Sequence, residues 1–414
     1  MRPAKVRVSS TSAPMPPSPT TSATTPTSSA CPAGTTKIKR DAFYECQELT
    51  SIIIPDSVTE IESNAFSYCR NLNNVVIPDS VTIIKDYAFR DSGLTSVTFG
   101  KSLKSLGFRA FYGCKGITDL ALPDFLETIG QGAFESCAGL EEIIIPNGVK
   151  SIGPWAFTKC ANLKHVFIPE SVNSFEGGST VFSECPNIIS IVVADSNKYL
   201  DSRENCNAII RTEDNFLLAS CKNTIIPDSI NKIASGAFSG RSDLERIVLP
   251  NSLTHIYSDV FADCSLSSIV IPDSVMVIGG RAFWNNHLTE IVLGNSVEKI
   301  ANEAFSGADI ISLVIPESVK TIDEGAFSSC KFLKEVVIKA PLNKLASKAF
   351  GDCSALETIT FPAGIKAIDK DAFDRCASLK AIYVPAKKGK YYINRLPESL
   401  HALIVELPAE QKAK

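Results

Sequence analysis

The hydrophobic positions of this chain recur at a fixed interval along most of its length. In the stretch that begins at Leu72, apolar residues follow at Val75 and Ile77, a Pro-Asp-Ser turn comes next, and an Ala-Phe pair ends at Phe89. The phenylalanine of this pair, or of a Val-Phe variant, returns every 22 or 23 residues, with one step of 25 and one long gap. These phenylalanines are Phe43, Phe66, Phe89, Phe111, Phe134, Phe157, Phe182, Phe238, Phe261, Phe283, Phe305, Phe327, Phe350 and Phe373. A fixed period of this length indicates a solenoid, in which each repeat packs on its neighbours.

Each repeat predicts two short extended segments joined by a turn. Val75 and Ile77 lie two residues apart, which is the period of a strand. Pro78 and the Asp-Ser that follows it are favourable turn residues. Val81 and Ile84 then predict a second extended piece whose side chains return to the core. Because one repeat cannot bury its apolar side alone, we expect the strands of successive repeats to form parallel sheets.

The repeat reads Ile-Pro-Asp-Ser-Val-Thr-x-Ile-x-x-x-Ala-Phe-x-x-Cys-x-x-Leu, and it recurs some fourteen times. Over about residues 31–385 it resembles the BspA-type leucine-rich repeat family. The resemblance implies a leucine-rich repeat solenoid, α/β but mostly β, built as a curved, right-handed stack of 22- to 23-residue repeats with a parallel sheet on the concave face. It also implies a non-catalytic, adhesin-like or host-interaction protein, at the cell surface or secreted, whose ligand is a host or matrix protein.

The sequence divides the chain into three segments. Residues 1–30 are rich in Ser, Thr and Pro, have little to bury and are predicted to be disordered. The repeat array is predicted over 31–385, with an irregular insert at about 195–224. Within the insert, two apolar runs on either side of 212–215 predict a hairpin. Residues 386–414 are predicted to hold a capping strand and a tail.

Charge and hydropathy exclude several classes of protein. The net charge is −4 and no basic stripe is present, so no nucleic-acid partner is expected. No apolar run approaches the length of a membrane span. No apolar segment follows Arg2 and Lys5 as in a signal peptide, which leaves a cytoplasmic interaction scaffold as the alternative to a surface protein. Because the array begins in the middle of a repeat, we expect the natural start to lie upstream. The chain is expected to be a monomer.

Most cysteines occupy one position of the repeat, three residues after its phenylalanine. They are Cys46, Cys69, Cys114, Cys137, Cys160, Cys185, Cys264, Cys330, Cys353 and Cys376. Other repeats place Ser92, Arg241, Asn286 or Ala308 there. A position that accepts such replacements is not a set of metal ligands, and the chain has no Cys-x-x-Cys pair. We therefore predict a column of small buried hydrophobic side chains.

The remaining candidate chemistry is sparse. Cys206 and Cys221 fall opposite each other in the predicted hairpin, where they form either a disulfide or two buried thiols. The four histidines occupy different positions of the repeat, so no catalytic, metal or cofactor site is predicted. Acidic residues that follow the repeat proline, such as Asp79 and Asp273, are expected to serve the turn rather than to bind calcium.

The strand residue between the two inward-facing positions must point outward, because side chains alternate along a strand. These outward residues are Ile53, Val76, Thr98, Ala121, Ile144, Phe167, Val192, Val248, Val270, Val292, Val314, Val337, Thr360 and Tyr383. A mostly apolar stripe with a polar rim, which includes His165 and Arg246, is typical of a partner site and predicts a binding face. β-branched residues also suit a parallel sheet that has no partner, so both interpretations are open.

Overall fold

The computed structural model describes residues 28–32, 34–176 and 178–408. They fall into two compact units. The first unit reaches Thr212 and includes Ala219–Asn223, and the second consists of Glu213–Leu218 and the chain from Thr224. Both units are built from the same repeat, in which a long strand of three or four residues precedes the turn and a short strand of two residues follows it.

Parallel pairing of successive repeats builds the first unit. Its long strands are Ser28–Ala30, Ser51–Ile53, Asn74–Val76, Ser96–Thr98, Glu142–Ile144, His165–Ile168 and Ser190–Val193. Its short strands are Lys37–Ile38, Glu60–Ile61, Ile83–Ile84, Ser105–Leu106, Thr128–Ile129, Ser151–Ile152 and Ser174–Phe175. The short strands form one seven-stranded sheet, while the long strands pair in groups of two and three.

The second unit repeats this arrangement. Its long strands are Ser268–Val270, Glu290–Val292, Ser312–Ile315, Glu335–Ile338, Thr358–Thr360, Ala381–Val384 and Ile404–Glu406. Its short strands are Lys232–Ile233, His255–Ile256, Val277–Ile278, Lys299–Ile300, Thr321–Ile322 and Lys344–Leu345. Neighbouring short strands pair in parallel, and the long strands form one sheet of two strands and one of five. The parallel-stranded solenoid predicted from the repeat is confirmed.

The insert contains strands on both sides of residues 212–215, where the sequence predicts a hairpin. Its strands are Leu200–Asp201, Ala208–Arg211 and Phe216–Ser220, and it contains a 3₁₀ helix at Arg203–Asn205. Another 3₁₀ helix, Gly178–Phe182, precedes the insert. Cys206 and Cys221 are both buried. Burial raises the pKa of the Cys206 thiol to about 11. A disulfide between these two cysteines stays a prediction.

The repeat phenylalanines stack face to face in the core of each unit. The ring centroids of Phe43 and Phe66, and of Phe66 and Phe89, lie 5.0 Å apart. In the second unit the rings of Phe283 and Phe305 lie 5.1 Å apart with planes 1° from parallel. Stacks of this spacing add about 0.5–1.5 kcal/mol per pair to the burial of the rings. The stack continues across the 25-residue step, where the ring centroids of Phe157 and Phe182 lie 5.7 Å apart.

The cysteine column does more than fill space. The Sγ of Cys69 donates a hydrogen bond to the carbonyl oxygen of Phe43, the phenylalanine of the preceding repeat, at 2.9 Å. Cys264 donates to the carbonyl of Phe238 at 3.1 Å in the same way. The prediction of buried small side chains holds for most of the column, and the thiols also donate hydrogen bonds that the sequence did not indicate. The thiol is a second donor to this buried carbonyl, because the N–H of Cys46 already donates to the carbonyl oxygen of Phe43 at 3.1 Å.

One repeat meets this requirement with an amide. The Nδ2 of Asn286 donates to the carbonyl oxygen of Phe261 at 2.6 Å, as a cysteine would. It also donates to the carbonyl of Phe283 at 3.1 Å. That second carbonyl is the one a cysteine at position 308 would serve, and Ala308 has no donor. Asn286 therefore covers two repeats, and its Oδ1 accepts the N–H of Leu266 at 3.0 Å.

The polar residues of the turn bind backbone groups of neighbouring repeats. Ser80 Oγ donates to the carbonyl of Val58 at 2.6 Å. Asp79 Oδ1 accepts the N–H of Lys101 at 2.9 Å, and Asp273 Oδ1 accepts the N–H of Asn295 at 2.7 Å. Within the described part of the chain, no three His, Cys, Asp or Glu side chains gather as metal ligands. Asp79 and Asp273 thus serve the turn of the next repeat, as their position after proline indicates.

Order at the amino end begins earlier than the sequence predicts. Ser28–Ala30, assigned to the disordered segment, form a strand that pairs in parallel with Ser51–Ile53. Hydrogen bonds to the neighbouring strand hold a strand this short in place. The Ser-Ser-Ala sequence has no alternation of apolar and polar residues, and it therefore gives no strand signal. The rest of the predicted disordered segment, residues 1–27, lies outside the described residues.

The carboxyl end closes the second unit. The helix Gly389–Ile393 buries Tyr392, whose ring stacks on Phe361 at 5.1 Å and whose hydroxyl donates to the carbonyl of Pro362 at 2.6 Å. The capping strand predicted within 386–414 is present but short. Glu398–Leu403 form a 3₁₀ helix, and the closing strand is Ile404–Glu406, paired with Ala381–Val384. Of the predicted tail, residues 409–414 lie outside the described part.

Candidate binding surface

The outward residues of the long strands form an exposed apolar column on the first unit. Ile53 is 70% exposed and Val76 is 60% exposed, although both lie on strands whose neighbouring residues are buried. Ile144, Phe167 and Val192 stand in register on three adjacent parallel strands. Parallel register places such side chains beside one another at the strand spacing of about 4.8 Å. The sequence therefore predicts correctly that these residues face solvent.

The second unit carries a corresponding column. Val270 pairs in register with Val292, and Val314, Val337 and Tyr383 follow one another across the next sheet with Thr360 between the last two. Val270 is 63% exposed, whereas Val337 and Tyr383 are half-buried. The two sets of residues are called the apolar columns below.

Arg246 and Val248 depart from the prediction. The sequence predicts a long strand here, but the backbone over 244–250 forms none. Strands this short depend on hydrogen bonds to the repeats on either side, and 224–227 just before also lacks a strand. Val248 still points outward, at 85% exposure, and Arg246 is exposed beside it.

Ile225 belongs to the column of the second unit and was missed from the sequence. It is 74% exposed and lies two residues before Pro227, as Val76 lies two before Pro78. The irregular insert that precedes it hides the start of the repeat. The Ile-Pro-Asp-Ser run that begins at Ile226 was the signal that could have located it.

Polar and charged side chains line the columns. His165 is exposed and stands in register between Glu142 and Ser190 on the neighbouring strands. One position before the strands, charged residues pair across repeats, as Lys164 does with Glu141 at 2.9 Å. An apolar stripe with a charged border has the composition of an interface core with its rim.

A second surface feature of the first unit gave no motif in the sequence. The Arg90 guanidinium lies 5.2 Å from the ring centroid of Tyr68 and 5.4 Å from those of Tyr87 and Tyr112. Arg109 lies 5.0 Å from the ring of Tyr112. These residues flank the buried phenylalanines of successive repeats, so only their stacking brings them together. Cation–π contacts of this kind stiffen the turn surface.

A family model for the BspA type leucine rich repeat region matches residues 22–95, 82–209, 212–334 and 298–394. These matches cover most of the chain. The chain belongs to the BspA-type leucine-rich repeat family. A comparison with curated protein sequences found no match to this chain.

Solved structures share the fold of this BspA-type chain. The pneumococcal vaccine antigen PcpA is 22% identical, with a TM-score of 0.66 over 92% of this chain and 89% of that one. A leucine-rich repeat protein of Bacteroides ovatus is also 22% identical, with a TM-score of 0.56 over 92% of both chains. A leucine rich cell surface protein of Faecalibacterium prausnitzii is 26% identical, with a TM-score of 0.56 over 88% of this chain and 89% of that one.

In the described part of this BspA-type chain, no helix has the length and apolar character of a membrane span. The helices there are short and lie at the insert and the carboxyl end. The binding role of individual column residues, including His165 and Arg246, stays a prediction.

Proposed function

We propose that this chain is a non-catalytic protein-binding protein of the cell surface, adhesin-like or host-interacting, that contacts its ligand through the apolar columns. The observation that carries the proposal is the exposure of apolar side chains at most repeats from Ile53 to Val192 and at every repeat from Ile225 to Val314. Contiguous apolar surface of this kind is unusual for a face that only meets water.

The columns are suited to binding. Val and Ile have few rotamers on a strand, so little side-chain entropy is lost when a partner covers them. The ladder beneath them is fixed by backbone pairing and by the phenylalanine stack. A ligand therefore meets a surface that is organised before it binds, and the charged border sets its orientation.

The cell-surface part of the proposal draws support from the cell surface protein of F. prausnitzii, which is similar over most of both chains. Extracellular proteins of the host or matrix are then the partners that the columns would meet. The competing hypothesis is an intracellular scaffold, which predicts no binding to purified extracellular ligands.

Binding to immobilised fibronectin, laminin, collagen and fibrinogen, measured by biolayer interferometry, tests the proposal. We expect saturable binding to at least one of these four matrix proteins. Binding to none of them would contradict the surface role and favour the intracellular scaffold.

A further inference from the structure

The ladder of long strands is interrupted within the second unit. Glu290–Val292 pairs with Ser268–Val270 on one side, and Ser312–Ile315 pairs with Glu335–Ile338 on its far side. The two strands that face each other across the interruption belong to different sheets. A cleft of about 690 Å³ opens between them.

A glycine marks the repeat at which the ladder stops. Gly294 occupies the place of Pro272 and Pro316 in the repeats on either side. A Cβ on Gly294 would lie 2.3 Å from the carbonyl oxygen of Pro272, so this turn approaches the preceding one more closely than a side chain allows. The cleft lies on the opposite side and is lined by Pro316.

The same combination occurs in the first unit. Gly100 replaces the repeat proline, and its Cβ would lie 2.3 Å from the carbonyl oxygen of Pro78. The long strand of that repeat, Ser96–Thr98, again pairs only with the preceding one, Asn74–Val76. A glycine turn thus accompanies a stopped ladder in both units, although Ser51–Ile53 and Asn74–Val76 also lie in different sheets at a turn that carries Pro55.

The lining of the cleft combines apolar and acidic groups. Val292 and Val314, members of the apolar column, are 43% and 49% exposed within it. Glu290 and Glu317 also line the cleft and are exposed. In the described part of the chain, neither carboxylate has a Lys, Arg or His nitrogen within 4.0 Å. Lys339 is the cation in the lining, so carboxylates outnumber it two to one.

We propose that this cleft binds a lysine or arginine side chain presented by an extended segment of the protein ligand. The proposal rests on the proposed function and specifies the ligand chemistry at one place on the column. The aliphatic stem of the basic residue lies on Val292 and Val314, and its cation meets Glu290 and Glu317. The facing strand edges offer backbone groups to the extended segment, as sheet edges do in strand addition.

Isothermal titration of the full chain with two blocked hexapeptides tests the proposal. One peptide alternates valine and lysine, and the other alternates valine and glutamate. We expect the lysine peptide to bind and the glutamate peptide to fail. Glu290→Gln and Glu317→Gln should each weaken the lysine peptide by about two- to fivefold, the range for exposed ion pairs, and Lys339→Gln should strengthen it by a similar factor.

A matched control removes a carboxylate from the same strand position where no cleft is present. Glu142→Gln, in the first unit, should leave the affinity of the lysine peptide unchanged. Equal binding of both peptides, or an unchanged affinity in all three cleft variants, would overturn the proposal. Either result leaves matrix binding by the wild-type chain standing, whereas loss of matrix binding alone refutes the proposed function and not the cleft chemistry.

Discussion

Asn286 offers a test of the hydrogen-bond column, because it serves three buried backbone groups at once. These are the carbonyls of Phe261 and Phe283 and the N–H of Leu266. Each buried group left without a partner costs about 1–3 kcal/mol. Asn286→Ala removes the partner of all three backbone groups, and partial relaxation of the site offsets part of the cost. We therefore expect this substitution to lower the free energy of unfolding by about 3–5 kcal/mol.

Asn286→Cys separates the two carbonyls. A thiol at this position should reach the carbonyl of Phe261, as cysteines do elsewhere in the column, but it leaves the carbonyl of Phe283 without a donor. Adding Ala308→Cys should supply that donor and recover about 1 kcal/mol. In the wild-type background Ala308→Cys should gain nothing, because Asn286 already occupies the carbonyl.

The four chains of this double-mutant cycle can be compared by urea unfolding together with amide exchange at Leu266, whose N–H reports the site locally. The local probe matters because repeat arrays need not unfold in one step. An equal effect of Ala308→Cys in both backgrounds would refute the shared role of Asn286. Unchanged unfolding of Asn286→Ala would refute the column as a source of stability.

Two further predictions concern the glycine turn and the thiols. Gly294→Ala should lower the free energy of unfolding by about 1–3 kcal/mol through overpacking against Pro272, whereas Gly364→Ala, whose Cβ meets nothing within 4 Å, should be neutral or slightly stabilising in the same urea experiment. Equal effects would show that the close approach is not a constraint. Burial raises the pKa of the Cys114 thiol to about 12. The buried neutral thiol therefore contributes its full share to the free energy of unfolding below the unfolded-state pKa of about 9. That contribution is lost as the pH rises from about 9 towards 12. The urea midpoint should therefore fall above about pH 9, and less steeply in Cys114→Ala; identical slopes would contradict this.

The regular part of the fold could be predicted from the sequence because one repeat contains all of its causes. Phe89 stacks on its equivalents, Ser80 bonds back to the preceding repeat, and Val76 points outward, and most repeats carry the same types of residue at these positions. Repetition of the outward strand residue also made it possible to predict the apolar columns from the sequence. A period of 22 or 23 residues, the turn residues and the strand alternation are all local signals.

The rest depends on how neighbouring repeats differ. The double role of Asn286 follows from the alanine one repeat later, which no single repeat reveals. The cleft lies beside Gly294, whose turn closely approaches a turn 22 residues earlier. The missing strand at Val248 follows from a preceding repeat that has no strand to pair with. These are contacts between repeats, and they do not appear in the consensus.

The claim that the apolar columns bind the ligand is tested most directly by aspartate substitution within and beside them. Two variants place a charge in the apolar columns, Phe167→Asp and Val248→Asp. Two control variants place a charge at exposed positions outside the columns, Phe125→Asp and Phe332→Asp. Affinity for the bound matrix protein should be lost in the first pair and retained in the second, with all four chains melting as wild type does. Retained affinity in the column variants, or equal loss in both pairs, would contradict the assignment of the binding face.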